Sequence, residues 1–460
     1  YIPKKVIPSL DENFFDEKIA IIGGGPAGLS CAFYLAERGY HPTIFEKNER
    51  AGGMLVYGIP SFKLEKSVVQ AEIDIIKEMG VEIKTGVEVG KDVTIDELRK
   101  QGYKAFYVAI GCQGGRKAGI PGEDAANVMT AVEFLREVNA KESFPIEGDV
   151  VVIGGGNVAI DVARDSKRCG DSNVSMYCLE SRETMPASVE EIEEAESEGI
   201  QVNCGWGPKG ILTEDGKVTG IVLKKCVSVK DAEGRFNPTY DENETITVAC
   251  KHVFLSVGQS IVWGELLDGQ KVVFGRGNGA VADPLTYQTA EPDIFVGGDV
   301  YTGPKFAIDA IAAGKEAAIS IHRFVQPHTS LTIGRNRNDF IELNKDDISV
   351  EHYDNSSRQI PGHDNSVDRK SFRDATLVFT EAQVKAETAR CLGCGASVVD
   401  VNQCLGCGVC TTKCEFDAIH LYRENPDCST MRKSEDKLKY ILPYGAKQAI
   451  KIKFSRKKKD

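Results

Sequence analysis

The apolar positions of this chain fall into two copies of one pattern. Ile19-Ala20-Ile21-Ile22 runs into a glycine-rich turn and then into Leu29-Ser30-Cys31-Ala32-Phe33-Tyr34-Leu35, while Val150-Val151-Val152-Ile153 runs into a second such turn and an amphipathic helix reaching Arg164. Unbroken apolar runs of this length suit parallel strands buried on both faces, so each copy predicts the strand, turn and helix of a dinucleotide-binding module. Between them, helical spacing covers Ser67 to Met79, and Lys104 to Ile110 reads as a short strand ending at Gly111. From Ile211 to Val257, strand-like runs alternate with turns at Glu214-Asp215-Gly216 and Ala232-Glu233-Gly234, which predicts a meander closing the second module. A helical run at Ala307 to Ala318 follows. After Phe324 the chain is polar and irregular until a helical patch at Glu381 to Arg390, a cysteine-rich stretch and a polar tail.

This pattern predicts an α/β fold with two Rossmann-like modules, the second inserted in the first, and a small C-terminal ferredoxin-like domain. The expected division is a linker at 1–17, a first module at 18–148 and 260–325, and a second at 149–259. A connecting segment at 326–388, a cysteine-rich domain at 389–430 and a tail at 431–460 complete it. The length of 460 residues agrees with two or three domains, and 42% hydrophobic with 27% charged residues describes a globular chain. A net charge of -12 argues against nucleic-acid or membrane-surface binding, and the six Lys or Arg of the last ten residues read as a solvated tail. No stretch nears the roughly 20 apolar residues of a membrane span, and the start is not a signal peptide, so a cytoplasmic location is expected. Because residue 1 is Tyr, the chain is expected to begin inside a longer polypeptide.

Chemistry concentrates at the two turns. In Gly23-x-Gly25-x-x-Gly28 the three glycines do different things: Gly23 allows the tight turn, Gly25 the approach of backbone to a pyrophosphate, and Gly28 the close packing of helix on strand. Pro26 and Ala27 open the helix whose amino end would hold the phosphates. Glu46 stands 18 residues beyond Gly28, followed by Lys47, at the end of Pro42-Thr43-Ile44-Phe45, where a carboxylate accepts ribose hydroxyl protons. Downstream, Gly298 and Asp299 end the run Asp293 to Val296, placing an acid where it can bond a ribityl hydroxyl; together these point to FAD. The second turn, Gly154-x-Gly156-Asn157-Val158-Ala159, predicts NADP(H) or NAD(H). Glu180, 21 residues past Ala159, favours the free 2′-hydroxyl of NAD, whereas Arg182 can grip the 2′-phosphate of NADP. With two dinucleotides and no other acid-base constellation, hydride transfer is the implied reaction, and no catalytic side chain is assigned.

Seven of the fourteen cysteines lie scattered between Cys31 and Cys250 and read as buried apolar filler, and seven crowd between Cys391 and Cys428. Cys404, Cys407, Cys410 and Cys414 have the spacing of a 4Fe-4S ferredoxin. Cys391, Cys394 and Cys414 can hold a second cluster, with Cys428 completing either, and a non-cysteine ligand such as Ser397 can fill the remaining place. Zinc is the competing reading, since Cys391 and Cys394 can form one of two ligand pairs. Clusters pass single electrons and nicotinamide two, so a flavin between them fits one pathway.

From Lys18 to about Phe324 the chain resembles the small, FAD-containing subunit of bacterial glutamate synthase and its relatives. The carriers are Gly23 to Gly28, the stretch from Ala51 through Gly52, Gly53, Met54 and Ile59 to Leu64, Gly154 to Asn157, Met185-Pro186-Ala187 and Gly297-Gly298-Asp299. The resemblance implies FAD at the first site, near Gly52, Gly53 and Met54, and NADPH at the second. Clusters at the carboxyl end make it similar to flavin subunits of anaerobic electron-bifurcating transhydrogenases. Leu179-Glu180, where glutamate synthase subunits have paired arginines, departs from the NADPH pattern. The expected protein is an oxidoreductase subunit passing electrons among NAD(P)H, FAD and clusters to ferredoxin or another iron-sulfur or flavin subunit. A glutamate synthase small subunit and a non-catalytic electron-transfer scaffold are the alternatives.

Overall fold

The computed structural model describes residues 15–170, 172–335 and discontinuous runs within 344–456. The chain divides into two compact units, Tyr1–Ser349 with Ser357–Ala386, and Val350–Ser356 with Glu387–Asp460.

In the first unit a five-stranded parallel sheet has the spatial order Ile294–Val296, Tyr103–Val108, Lys18–Ile22, Thr43–Glu46, Glu82–Thr85. Ile19, Ala20 and Ile21 are fully buried, which is why this central strand shows no polar alternation. The helices Pro26–Glu37, Lys66–Glu78 and Ala307–Val325 pack with this sheet, and Ser30 Oγ donates to the Ile311 carbonyl at 2.7 Å. Because its edge strand Ile294–Val296 comes late in the chain, the second module is an insertion within the first.

The second sheet, also parallel, has the order Val128–Thr130, His252–Leu255, Val150–Ile153, Val174–Cys178, Gln201–Cys204. Val128–Thr130, within the stretch expected to belong to the first module, pairs with His252–Leu255, Val128 opposite Val253, and so lies in the second sheet. Three residues without a following glycine turn carry no module signature of their own, and their partner is far downstream. Phe134 and Phe254, both fully buried, stack at 4.1 Å beneath this sheet. The expected meander is the antiparallel sheet Trp206–Glu214, Lys217–Lys230, Phe236–Ala249.

The expected helical patch near 381 appears as Glu381–Ala389. Within the second unit, Lys437–Arg456 is helical although the tail reads as polar; Lys, Leu, Ala and Gln are strong helix formers, and they carry the helix past Pro443. No helix among the described residues is long and apolar enough to cross a membrane.

Candidate functional site

A cavity of about 550 Å³ opens at the carboxyl ends of the first sheet, where ligands bind in open parallel sheets. From the first turn Gly23, Gly25, Pro26 and Ala27 line it, joined by Glu46, Lys47, Gly53, Met54, Ile59, Gly111, Gly298 and Asp299. Gly23 has φ +106°, and a Cβ there would stand 2.5 Å from the Ala109 carbonyl oxygen, so the strand-to-helix turn requires glycine. Gly28 and Gly52 are not part of the cavity lining. Glu46, 2% exposed, accepts from the Gly24 amide and, through its other oxygen, from the Asn48 amide, each at 2.8 Å. Asp299 Oδ1 accepts from the Lys305 amide at 3.3 Å. Burial raises the Asp299 carboxyl, and that amide partly offsets the rise.

The second turn contributes Asn157 and Val158 to the same cavity, whereas Gly154, Gly156, Ala159, Glu180 and Arg182 lie away from it. Gly156 presents bare backbone: a Cβ there would meet nothing within 4 Å. Glu180 stands over this turn, its Oε2 2.9 Å from where a Cβ on Gly155 would sit. Arg182 is instead held by Glu196, at 2.5 and 2.8 Å. Asn157 Oδ1 accepts from the Ser188 amide at 3.0 Å, which ties the turn to the helix Val189–Ser197.

Where the modules meet, the cavity wall carries charged groups to which the sequence assigned no role. Lys63, from the first module, pairs with Asp161 at 2.5 Å and with Glu191. Arg164 and Arg168 stack on the Phe62 ring, at 4.6 and 3.6 Å from its centre, while Glu198 accepts from both. Two signals were available: Asp161 follows Asn157 by one helical turn, and Lys63 lies in the resemblance stretch ending at Leu64.

Behind this wall Asp165 is fully buried and neither of its oxygens has a hydrogen-bond partner. Burial, reinforced by Asp161, pushes its carboxyl up to about 8 from the usual 3.8. An acid raised on folding binds more protons in the native state, so its contribution is full below 3.8 and is lost as pH climbs toward 8. Asp165→Asn should remove this loss. In urea titrations the variant is expected to gain on the wild type between about pH 4 and about pH 8; an unchanged difference would refute the raised carboxyl.

The nine described cysteines are free, and five of the seven scattered ones are buried, as filler should be. Cys169 and Cys204 are partly exposed, and Cys178 and Cys204 bring their sulfurs to 3.8 Å across neighbouring strands. No cysteine lines the cavity among the described residues. Of the expected cluster ligands, Cys391 and Cys410 are exposed, whereas Cys394, Cys404, Cys407, Cys414 and Cys428 lie outside the described residues. Among the described residues, no three His, Cys, Asp or Glu side chains gather as a metal would require.

Comparison with known proteins follows the same outline. Residues 17–314 match the pyridine nucleotide-disulphide oxidoreductase family. The beta subunit of NADP(+)-dependent formate dehydrogenase from Moorella thermoacetica is 37% identical over 392 residues, 82% of this chain and 54% of that one. The NADPH glutamate synthase small chain of Escherichia coli (strain K12) is 33% identical over 330 residues, 67% of this chain and 69% of that one. This chain thus spans about half the length of the formate dehydrogenase subunit. Mycobacterium tuberculosis FprA, solved with NADPH, shares the fold with a TM-score of 0.57 at 20% identity, over 67% of this chain and 84% of that one. The resemblance drawn from the glycine turns and the Ala51 to Leu64 stretch is therefore borne out: the chain belongs to the pyridine nucleotide-disulphide oxidoreductase family, on the side of it that includes the glutamate synthase small chains.

Proposed function

We propose that this chain is an oxidoreductase subunit that takes electrons from NADP(H) or NAD(H) through FAD to 4Fe-4S clusters, and from there to ferredoxin or a partner subunit. The observation that carries the reading is that both glycine turns reach one cavity, the first through Gly25 and the second through Asn157 and Val158. The residues present fit a dinucleotide in the first module. Bare backbone at Gly25 faces open space, with its nearest non-neighbouring atom 3.8 Å from a built Cβ, and the Pro26–Glu37 helix presents its amino end there.

In this reading Gly23, Gly25, Pro26, Ala27 and Gly28 seat the pyrophosphate, and Glu46 and Lys47 serve the adenosine ribose. Gly52, Gly53, Met54, Ile59 and Gly111 border the ring, with Gly298 and Asp299 at the ribityl chain. Gly154, Gly156, Asn157, Val158 and Ala159 seat the nicotinamide nucleotide, Glu180 takes its ribose, and Arg182 serves a 2′-phosphate if released from Glu196. A bound flavin supplies the conversion between a two-electron donor and one-electron acceptors. The chain's own part is alignment: the turns fix two ligands against each other in one cavity. The domain division is proposed as expected, with Val128–Thr130 moved to the nucleotide module.

Ferredoxin spacing supports one cluster on Cys404, Cys407 and Cys410 and a second on Cys391, Cys394 and Cys414, with Cys428 completing either and a non-cysteine ligand such as Ser397 filling the remaining place. Such thiolates belong in a reducing cytoplasm. An electron-bifurcating transhydrogenase is the more specific form of this reading. A second reading, glutamate synthase small subunit, is favoured by the 33% identity to that chain, and co-purification with a large amidotransferase chain would decide for it.

Anaerobic titration of the pure protein with NADPH and separately with NADH tests the proposal. Flavin bleaching followed by cluster signals in electron paramagnetic resonance is the expected result, and the nucleotide that bleaches at lower concentration is the substrate. Failure of both to bleach the flavin would leave a scaffold; zinc in place of iron would overturn the cluster assignment.

A further inference from the structure

The junction of the two modules holds more acid than alignment of ligands requires. Asp161 and Asp165 lie one turn apart on the Asn157–Cys169 helix and so share a side of it. Asp161 opens onto the cavity; Asp165 lies behind it, fully buried and without a hydrogen-bond partner. A carboxylate in that position is costly, and such a group keeps its proton instead.

The charged groups facing the pair are Lys63 and Lys66 from the first module, Glu191 from the Val189–Ser197 helix, and Arg164, Arg168 and the Cys169 thiol from their own helix. Arg50 and Glu142 act on Lys66. Most of these are engaged: Lys63 by Asp161 and Glu191, Lys66 by the carbonyls of Leu55 and Ile59, and both arginines by Glu198. Burial pushes Asp161 up to about 6, with Lys63 holding it back, and Asp165 up to about 8. Near neutrality the outer carboxyl is therefore ionised and the inner one neutral, and their titrations belong to the pair.

We propose that Asp161 is a proton acceptor in the cavity wall that takes the proton left when the two electrons of a hydride depart one at a time. This rests on the electron-transfer reading above. Oxidation of NAD(P)H yields NAD(P)+, two electrons and one proton, and one-electron acceptors such as iron-sulfur clusters or ferricyanide take only the electrons. The Asp161 carboxylate becomes a carboxylic acid on taking the proton and returns it to water at the cavity mouth. Asp165 stays neutral, since a second buried negative charge beside Asp161 would hold the proton too tightly for release.

Two measurements on the holoprotein test this. Steady-state reduction of ferricyanide by NADPH, or by NADH if that is the substrate, should accelerate as pH rises through about 6, where Asp161 ionises. Asp161→Asn should abolish that rise and slow turnover about 100-fold, the usual scale for loss of a general base, while Asp161→Glu should restore the rise. Independently, an infrared spectrum at neutral pH should contain a protonated-carboxyl stretch that Asp165→Asn removes. A pH profile in Asp161→Asn like the wild type's, or a carboxyl band surviving in Asp165→Asn, would overturn the proposal. A wild-type flavin that neither nucleotide bleaches would instead sink the electron-transfer reading itself.

Discussion

Gly28→Ala is expected to destabilise the first module by about 3 kcal/mol or more, at the upper end of what overpacking a core costs. The added Cβ would stand 2.0 Å from the Gly23 carbonyl oxygen and 3.2 Å from Ile21 Cγ2. Its principal neighbour is backbone, and that backbone cannot give: the Gly23 amide donates to the Phe45 carbonyl at 2.9 Å, and the Ala109 amide to the Ile22 carbonyl at 2.8 Å. Relief would therefore require moving three strands of the central sheet. Gly25→Ala, three residues earlier, is the control. Its Cβ would meet only Gly53 Cα at 3.8 Å, an ordinary contact, so the fold should persist while the cavity narrows where a pyrophosphate would pass. Urea midpoints of the flavin-free proteins separate the two. A Gly28→Ala midpoint equal to that of Gly25→Ala would show that the turn relaxes after all.

The same local geometry explains what was legible in the sequence. Gly23 and Gly28 announce themselves because their constraint lies within one strand, turn and helix, where spacing alone specifies the contact. Glu46 and Asp299 follow because each ends a buried apolar run beside such a turn. Lys63, Asp161 and Glu191 are different: they come from a loop of the first module and two helices of the second, and no period in the chain connects them. Val128–Thr130 is hidden for the same reason, since its place depends on pairing with His252–Leu255. Glu180 and Arg182 show a third case. Sequence put both beside the second turn, and it took the side-chain pairing of Arg182 with Glu196 to separate them. Local grammar thus reveals where each ligand would sit, and the tertiary junction between modules reveals which side chains would surround the reacting ends.

Glu46→Gln is expected to weaken FAD binding about 10- to 100-fold, the equivalent of one hydrogen bond to a charged group at about 1.5–3 kcal/mol. Each carboxylate oxygen can accept two hydrogen bonds. Oε1 spends both on Asn48, from its amide at 2.8 Å and its Nδ2 at 2.6 Å, whereas Oε2 spends one on the Gly24 amide at 2.8 Å. One acceptor position on Oε2 therefore remains for a ribose hydroxyl. Glutamine keeps the size but replaces one oxygen with a donor, which must then face an N–H of Gly24 or of Asn48. The variant accordingly loses the ribose contact and part of the support for the turn, whereas Glu46→Ala would lose all of both. Reconstitution of flavin-free protein, followed by the quenching of FAD fluorescence, measures the effect directly. Binding of NADPH or NADH at the second turn serves as the internal reference, because Glu46 does not reach it. Equal loss at both sites would mean that Glu46 only braces the fold; loss confined to FAD would establish it as the ribose acceptor.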